Sequence, residues 1–242
     1  MIKKILIILI CFSLLAQVAL TENKVKIIKI SGDVKIRRGV EENWQAAKIG
    51  MLLEEIDSIL TGETAEVFLQ IHDGTTFKLG SYAILNISDL RKISEKELFL
   101  YLMSKKINKI EQRNEKTRLR IGNVSVVHGE SKAESSGSSN NNSEPNLWIQ
   151  EVNGAKALHN QKFYPNTIVR LHKILDKYTD IQDCGEIHFY LGKSFEAINK
   201  SGQAANAYQL VLNRYSEQTC NNDAAKGRYN EALQAIEGLK RK

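Results

Sequence analysis

The sequence lacks the short motifs by which many catalytic and metal sites can be recognised. It has no His-Glu-x-x-His or Cys-x-x-Cys pattern, no Gly-x-Ser-x-Gly elbow, no Walker-type phosphate loop and no dinucleotide-binding glycine fingerprint. The five histidines are scattered: His72, His128, His159, His172 and His188. We therefore expect a protein without catalytic residues, metal or cofactor, and we find no small-molecule substrate evident from the sequence.

One histidine, His72, directly precedes a carboxylate, that of Asp73. Such a pair can act as a base and its orienting acid. Adjacent residues of a strand, however, point to opposite faces of the sheet, so the two side chains are not expected to cooperate.

Apolar runs long enough to cross a bilayer are also scarce. The longest, Ile5 to Leu20, has sixteen residues and is interrupted by polar side chains, whereas a span needs about 20. It follows Lys3 and Lys4 and precedes Glu22, which is the layout of a secretory signal peptide. We predict that residues 1–21 are cleaved and that the protein lies in the bacterial periplasm or cell envelope. An uncleaved membrane anchor is the alternative.

Positive charge is only slightly in excess. The net charge of +6 falls to +4 if the two lysines of the signal peptide are removed. Residues 91–120 carry ten Lys or Arg and four Glu, which we interpret as the solvated outer face of strands. Attraction to an anionic surface, and hence membrane association, is the alternative. No aromatic residue lies between Lys105 and Arg120, so nucleic acid is not expected as a partner.

A Ser/Asn-rich tract at residues 131–146 has little to bury and is predicted to be a flexible linker. Before it, apolar and polar residues alternate in short runs typical of half-buried strands. Asp73-Gly74 predicts a tight antiparallel hairpin, because both positions tolerate a positive backbone angle φ. The hairpin would place three apolar residues on one face with two opposite them: Val67, Leu69 and Ile71, with Phe77 and Leu79.

Ser31-Gly32-Asp33 offers a similar turn between the first two strands. For residues 22–130 we predict an all-β antiparallel sandwich or roll.

After the linker, apolar residues recur every three or four positions, which predicts helices over about 148–159, from 164, and over 186–198. This half also repeats itself. Ile174 to Asp180 matches Val211 to Glu217 residue type for residue type, at an offset of 37. Helix pairs that recur at such a period indicate a stacked repeat, in which each pair covers an apolar face of its neighbour.

Residues 147–242 resemble tetratricopeptide repeats. The resemblance rests on small and large residues at the packing positions of a helical hairpin: Leu191, Gly192, Phe195, Ala204 and Tyr208. In that family, residues of the first helices line a groove that binds a peptide or a helix. The resemblance implies that here the groove would be lined by Glu186, Phe189, Lys193 and Glu196. A merely solvated helix face is the alternative.

The cysteines are few, and two of the three lie beyond the signal peptide. Cys184 and Cys220 each precede the first helix of a predicted pair, and the starts of successive first helices are neighbours in a stacked array. In an exported protein we predict a disulfide between them. Two buried free thiols are the alternative.

The first half, from about residue 25 to 133, resembles the FecR-type periplasmic domain. The resemblance rests on an ordered set of short stretches: Ser31-Gly32-Asp33-Val34, Trp44, Gly50, Asp57 to Gly62, Ala65 to Leu69, and Asp73-Gly74-Thr75 leading to Leu79. Asn123 to Gly129 falls near the family's usual end of the domain. Regulators of this family relay a signal through a cytoplasmic segment, which we expect this protein to lack because the apolar run starts at Ile5.

These patterns predict an α+β protein with two segregated domains, the β domain at 22–130 and tetratricopeptide-like helical hairpins at 147–242. We expect a non-catalytic adaptor or scaffold that binds envelope proteins or peptides. A membrane-anchored sensor of the FecR type is the alternative, and an envelope enzyme with an unrecognised site is a third.

Overall fold

Two four-stranded antiparallel sheets make up the first half of the protein in a computed structural model, which describes residues 24–113 and 147–241. The predicted signal peptide, the linker and the end of the predicted β domain therefore lie outside the described residues. The strands are β1 Val25–Ser31, β2 Val34–Arg37, β3 Gln45–Ala46, β4 Leu52–Leu53, β5 Ser58–Thr61, β6 Glu66–Gln70, β7 Thr76–Leu79 and β8 Ala83–Asn86. One sheet has the order β4-β1-β6-β7 and the other the order β3-β2-β5-β8.

The hairpin predicted at Asp73-Gly74 is confirmed. Strands β6 and β7 pair antiparallel, and the apolar residues of one strand stand opposite those of the other, Leu69 opposite Phe77 and Val67 opposite Leu79. All four side chains are buried in a core to which both sheets contribute. Alternation at a period of two thus places one face of the hairpin inside.

The turn at Ser31-Gly32-Asp33 differs from the prediction. Strands β1 and β2 do not pair with each other, because β1 belongs to one sheet and β2 to the other. Gly32 has φ +77°, and a Cβ atom at this position would lie 2.8 Å from the Cα of Ala65. The glycine therefore permits a close crossing from sheet to sheet in place of a hairpin turn.

Among the described residues, five helices follow the linker and one precedes it. They are α1 Glu95–Arg113, α2 Leu147–Asn160, α3 Tyr164–Lys177, α4 Glu186–Ala197, α5 Ser201–Arg214 and α6 Asp223–Lys240, and a short 3-10 helix lies at Ile87–Leu90. The segregated α+β layout predicted from the sequence is confirmed at this level. The tetratricopeptide-like character of the helices stays a prediction.

Helix α1 corrects the interpretation of the basic stretch as strands, since residues 95–113 are helical. Its start is a capping box. The Ser94 hydroxyl accepts a hydrogen bond from the Glu97 N–H at 3.2 Å, and the Glu97 carboxylate accepts one from the Ser94 N–H at 2.9 Å. The hydrogen bond from the Ser94 backbone, with those from Arg91 and the Ser94 hydroxyl, lowers the pKa of Glu97 to about 2.

The two helix hairpins α2–α3 and α4–α5 share one pattern of burial at the offset of 37. Residues separated by this offset are buried in both hairpins: Val152 and Phe189, Ala155 and Gly192, Leu158 and Phe195, Thr167 and Ala204, Leu171 and Tyr208, Ile174 and Val211. The repeat in the sequence is therefore a repeat of inward-facing positions.

The helices pack directly on the sheets. Leu158 of α2 is fully buried in the same core as the strands. Gln161 covers the edge strand β7, because its side-chain amide accepts from the Lys78 N–H and donates to the Lys78 carbonyl, both at 2.8 Å. Asn153 donates to the carbonyl of Tyr82 at 2.9 Å. Sheets and helices, although segregated along the chain, share a packed interface.

A buried ion cluster lies at this interface. The Arg170 guanidinium of α3 lies 3.2 Å from the Asp89 carboxylate in the 3-10 helix and 3.7 Å from the Glu151 carboxylate of α2. Lys177 and Tyr178 also reach Glu151, at 2.7 and 3.2 Å. Burial raises the pKa of Asp89, and the charge of Arg170 opposes that shift. Arg170 therefore compensates two carboxylates that belong to different parts of the fold.

Gly154 of α2 packs directly against the backbone of β8. A Cβ atom at this position would overlap the carbonyl oxygen of Ile84, which is backbone and cannot rotate away. We expect Gly154→Ala to lower the free energy of unfolding by about 2 kcal/mol, as in overpacked cores. Gly238→Ala is the control, because nothing lies within 4 Å of that helical glycine and the change should stabilise by a few tenths to about 1 kcal/mol. Urea denaturation measures both, and a stabilising Gly154→Ala would contradict the contact.

Candidate protein-binding face

The first helices of the successive hairpins, α2 and α4, and the closing helix α6 bring polar and aromatic side chains together on one face. We call it the first-helix face and define it by Lys156, His159, Glu186, Tyr190, Lys193, Arg228 and Glu231. Its members come from segments about 37 residues apart, which is the offset of the repeat.

Ion pairs connect the three helices across this face. Glu186 lies 3.0 Å from the Lys156 ammonium and 3.7 Å from the Arg228 guanidinium, so it joins α4 to both neighbours. Lys193 pairs with Glu231 of α6, and both side chains remain substantially exposed. Exposed pairs of this kind contribute little to stability, so their charges remain available to another molecule.

His159 lies in an aromatic part of the same face. Its ring centroid lies 5.3 Å from those of both Tyr164 and Tyr190, and its Nδ1 lies 2.9 Å from the Ser194 hydroxyl. Burial, followed by the nearby charge of Lys193, lowers the pKa of His159. The neutral ring is therefore favoured in the folded protein.

This pKa predicts a pH dependence of stability. The unfolded chain binds a proton near pH 6.5 whereas the folded chain does so only at lower pH, so the stabilisation is complete above pH 6.5 and is lost as pH falls below it. We expect His159→Gln to lose less free energy of unfolding than wild type between pH 7.5 and 5. Urea denaturation at both values measures the difference, with His72→Gln on the β domain as control. An unchanged pH dependence in His159→Gln would contradict the prediction.

The four residues predicted to line a groove do not have equal roles. Glu186 and Lys193 take part in the ion pairs of the face. Phe189 is only 7% exposed and lies in the helical core, with the Lys193 ammonium 5.6 Å from its ring centroid. Glu196 is exposed and accepts a hydrogen bond from the Tyr208 hydroxyl at 2.9 Å. Phe189 thus supports the face from beneath.

The residues assigned to repeat packing are all buried: Leu191, Gly192, Phe195, Ala204 and Tyr208. Gly192 allows the closest contact, because a Cβ atom there would lie 2.5 Å from the ring of Tyr208. Burial and the hydrogen bond to Glu196 raise the pKa of Tyr208, so its hydroxyl stays protonated. The sulfur atoms of Cys184 and Cys220 lie 2.14 Å apart, which is disulfide distance, and the pair joins the segments that precede α4 and α6.

Sequence reasoning missed five members of the face: Lys156, His159, Tyr190, Arg228 and Glu231. The repeat offset is a signal that finds two of them. Lys156 stands 37 residues before Lys193. His159 corresponds in the same way to Glu196. Tyr190, Arg228 and Glu231 join the face through contacts between helices, for which a single sequence holds no equivalent signal.

The His72–Asp73 pair lies at the end of β6, where Asp73 has a partner in the turn. Asp73 accepts a hydrogen bond from the Thr75 N–H at 2.9 Å, and this bond lowers the pKa of its carboxyl group. It therefore stabilises the hairpin turn. In residues 24–113 and 147–241, no three His, Cys, Asp or Glu side chains are grouped as metal ligands. Within the same ranges, no helix is both long and apolar enough to span a membrane.

No protein-family model, curated protein or solved structure matches this chain. The resemblances to the FecR-type domain and to tetratricopeptide repeats therefore rest on the residue patterns alone.

Proposed function

We propose that the protein is an exported, non-catalytic adaptor of the cell envelope that binds a polypeptide on the first-helix face. One observation carries this proposal: α2, α4 and α6 place ionic and aromatic side chains on one face, although those side chains are far apart in the sequence. A repeat presents such a row to a partner that runs across its helices.

The chemistry of the face suits a polypeptide. Lys193 and Glu231 offer exposed groups of both signs, which can exchange their mutual ion pair for bonds to a partner's backbone or side chains. Tyr190 adds a half-buried aromatic surface beside them. Aromatic residues with few rotatable bonds provide contact area at a low cost in conformational entropy. The buried interface fixes the β domain to α2 and α3. The β domain therefore carries a second surface, in a constant orientation relative to the first-helix face.

Site-specific photocrosslinking in the native envelope tests the proposal. A benzophenone amino acid at Tyr190 should yield a discrete adduct, whereas the same probe at Gln209, exposed on α5, should not. Lys193→Ala should reduce the Tyr190 adduct several-fold, and Lys240→Ala, exposed beyond the face, should leave it unchanged. Equal adduct yields from probes at Tyr190 and Gln209 would reject this face as the binding site, and so would a Tyr190 adduct that is unchanged by Lys193→Ala.

The mature N-terminus tests the export part of the proposal. Intact mass should show a product that begins close to residue 22. Retention of Met1 to Leu20 in the membrane fraction would instead favour the anchored sensor. Full-length protein in the cytosol would reject export altogether.

A further inference from the structure

A groove separate from the first-helix face lies between α1 and the region where α4 ends and α5 begins. Its volume is about 750 Å³. Leu98, Phe99, Leu102 and Met103 of α1 line one side, and Ile198 and Gly202 line the other. None of these residues belongs to the first-helix face.

Helix α1 is fixed on one side and open on the other. Leu98 is buried in the helical core, the Tyr101 hydroxyl lies 3.5 Å from the Val169 carbonyl oxygen, and Lys105 pairs with Asp176. Toward the groove, however, Phe99 is 57% exposed and Met103 is 40% exposed. Exposed large apolar side chains that line one groove are typical of an interaction site.

The groove has the length of a short helix. Its lining extends along α1 from Glu95 to Lys106, and eleven residue steps at 1.5 Å correspond to about 16 Å, or three helical turns. Leu98, Phe99, Leu102 and Met103 follow the spacing of three and four residues that meets the apolar stripe of another helix. An acyl chain would instead be enclosed over most of its surface, which the exposed Phe99 and Met103 do not achieve.

The charges at the rim select an acidic occupant. Three lysines line the groove, Lys105, Lys106 and Lys200, against one carboxylate, that of Glu95. Lys105 is neutralised by Asp176. Within the part of the chain that the structure describes, neither Lys106 nor Lys200 lies within ion-pair distance of a carboxylate.

We propose that this groove binds an acidic amphipathic helix of a partner protein. The apolar stripe of that helix packs on Phe99 and Met103, and its carboxylates meet Lys106 and Lys200. This is the helix-in-groove mode of recognition, with electrostatic complementarity setting the choice of partner. The inference extends the proposed adaptor function to a second site and does not depend on which polypeptide occupies the first-helix face.

Fluorescence anisotropy with the purified protein tests the inference. The probe is a labelled 21-residue peptide with Leu at the a and d positions of each heptad, Glu at b, e and f, and Ala elsewhere. A second peptide carries Lys in place of every Glu. We expect the acidic peptide to bind at least tenfold more tightly than the basic one. Its affinity should fall as the salt concentration is raised.

Variants of the protein locate the binding. The double change Lys106→Glu and Lys200→Glu should lower the affinity for the acidic peptide at least tenfold, and Met103→Glu should do the same. Leu100→Glu is the matched control, because Leu100 is 56% exposed on the same helix but does not line the groove. Lys193→Ala should also leave the affinity unchanged, so that failure of this site and failure of the first-helix face can be told apart.

Three results would overturn the inference. The first is equal affinity for the two peptides, and the second is no binding of the acidic peptide. The third is binding of a fluorescent long-chain fatty acid that is lost in Met103→Glu while the acidic peptide does not compete, which would assign the groove to a lipid carboxylate.

Discussion

Replacing Arg170 with methionine is expected to lower the free energy of unfolding by about 3–5 kcal/mol, the range found when one partner of a buried ion pair is removed. The Arg170 side chain is 6% exposed, and it contacts two carboxylates that are themselves largely buried, those of Asp89 and Glu151. Methionine fills much of the volume but leaves the Asp89 carboxylate without the Arg170 cation, and it leaves Lys177 as the remaining ion-pair partner of Glu151. Urea denaturation followed by circular dichroism measures the loss.

Lys177→Met is the matched control for this prediction. Lys177 lies on the same helix and pairs with the same carboxylate of Glu151, but its side chain is 55% exposed. Because water solvates that ammonium, the change should cost about 1 kcal/mol or less. Equal losses in the two variants would show that burial does not distinguish the two cations, and the account of the cluster would then be wrong.

The cluster also bears on how the β half is held against the helices. Asp89 belongs to the β half, Glu151 to α2 and Arg170 to α3, so the same charges join the sheets to the helices. Asn166 strengthens this junction by donating to the carbonyls of Asp89 and Arg91, at 2.8 and 2.6 Å. These contacts hold the sheets and the helices in one fixed relation to each other.

Local patterns in the sequence were sufficient for several elements. Alternating residues and Asp73-Gly74 predicted the β6–β7 hairpin with its correct apolar face. The repeat at an offset of 37 predicted helix pairs whose inward positions coincide, such as Leu171 and Tyr208. These features depend on residues close in sequence or on a regular period, and both can be read without knowledge of tertiary contacts.

The error at α1 came from giving weight to charge in place of period. Leu98, Phe99, Leu102 and Met103 already have helical spacing, and Ser94 with Glu97 forms a capping box that the sequence displays. That signal was available. The crossing at Gly32 was harder to predict from the sequence, because a hairpin turn and a sheet-to-sheet corner use the same residue types. The close approach of Gly32 to Ala65, a tertiary contact, distinguishes the two.

The candidate sites depend on contacts that one sequence does not reveal. Gly154 is a small residue of the kind that packs helices together in a repeat, yet its close contact is with Ile84 of the β half. Phe189 occupies a groove position by resemblance but is buried, while its neighbour Tyr190 lies on the face. A shift of one residue on a helix turns a side chain by about 100°, so a family pattern matched in part locates the helix better than its exposed face.

Reducing the link between Cys184 and Cys220 is expected to lower the free energy of unfolding by about 4 kcal/mol, from the chain-entropy relation for a loop of this size. The two cysteines are 36 residues apart and join the starts of α4 and α6. They thereby close the loop that contains the whole second hairpin. That hairpin has only one complete neighbour in the described array. The free energy that the disulfide contributes by constraining the unfolded chain is therefore a large share of the hairpin's stability.

Urea denaturation with and without dithiothreitol measures this loss, and a non-reducing peptide map should recover both cysteines in one linked species. The double variant Cys184→Ala and Cys220→Ala is the control, because it should already be less stable and should not respond to reductant. Because Cys220 is buried, part of the stability that the double variant loses reflects the missing side chain. Reduction of wild type, in contrast, leaves both side chains in place. Two free thiols in protein purified without reductant, or a change below about 1 kcal/mol on reduction, would show that packing alone holds the second hairpin.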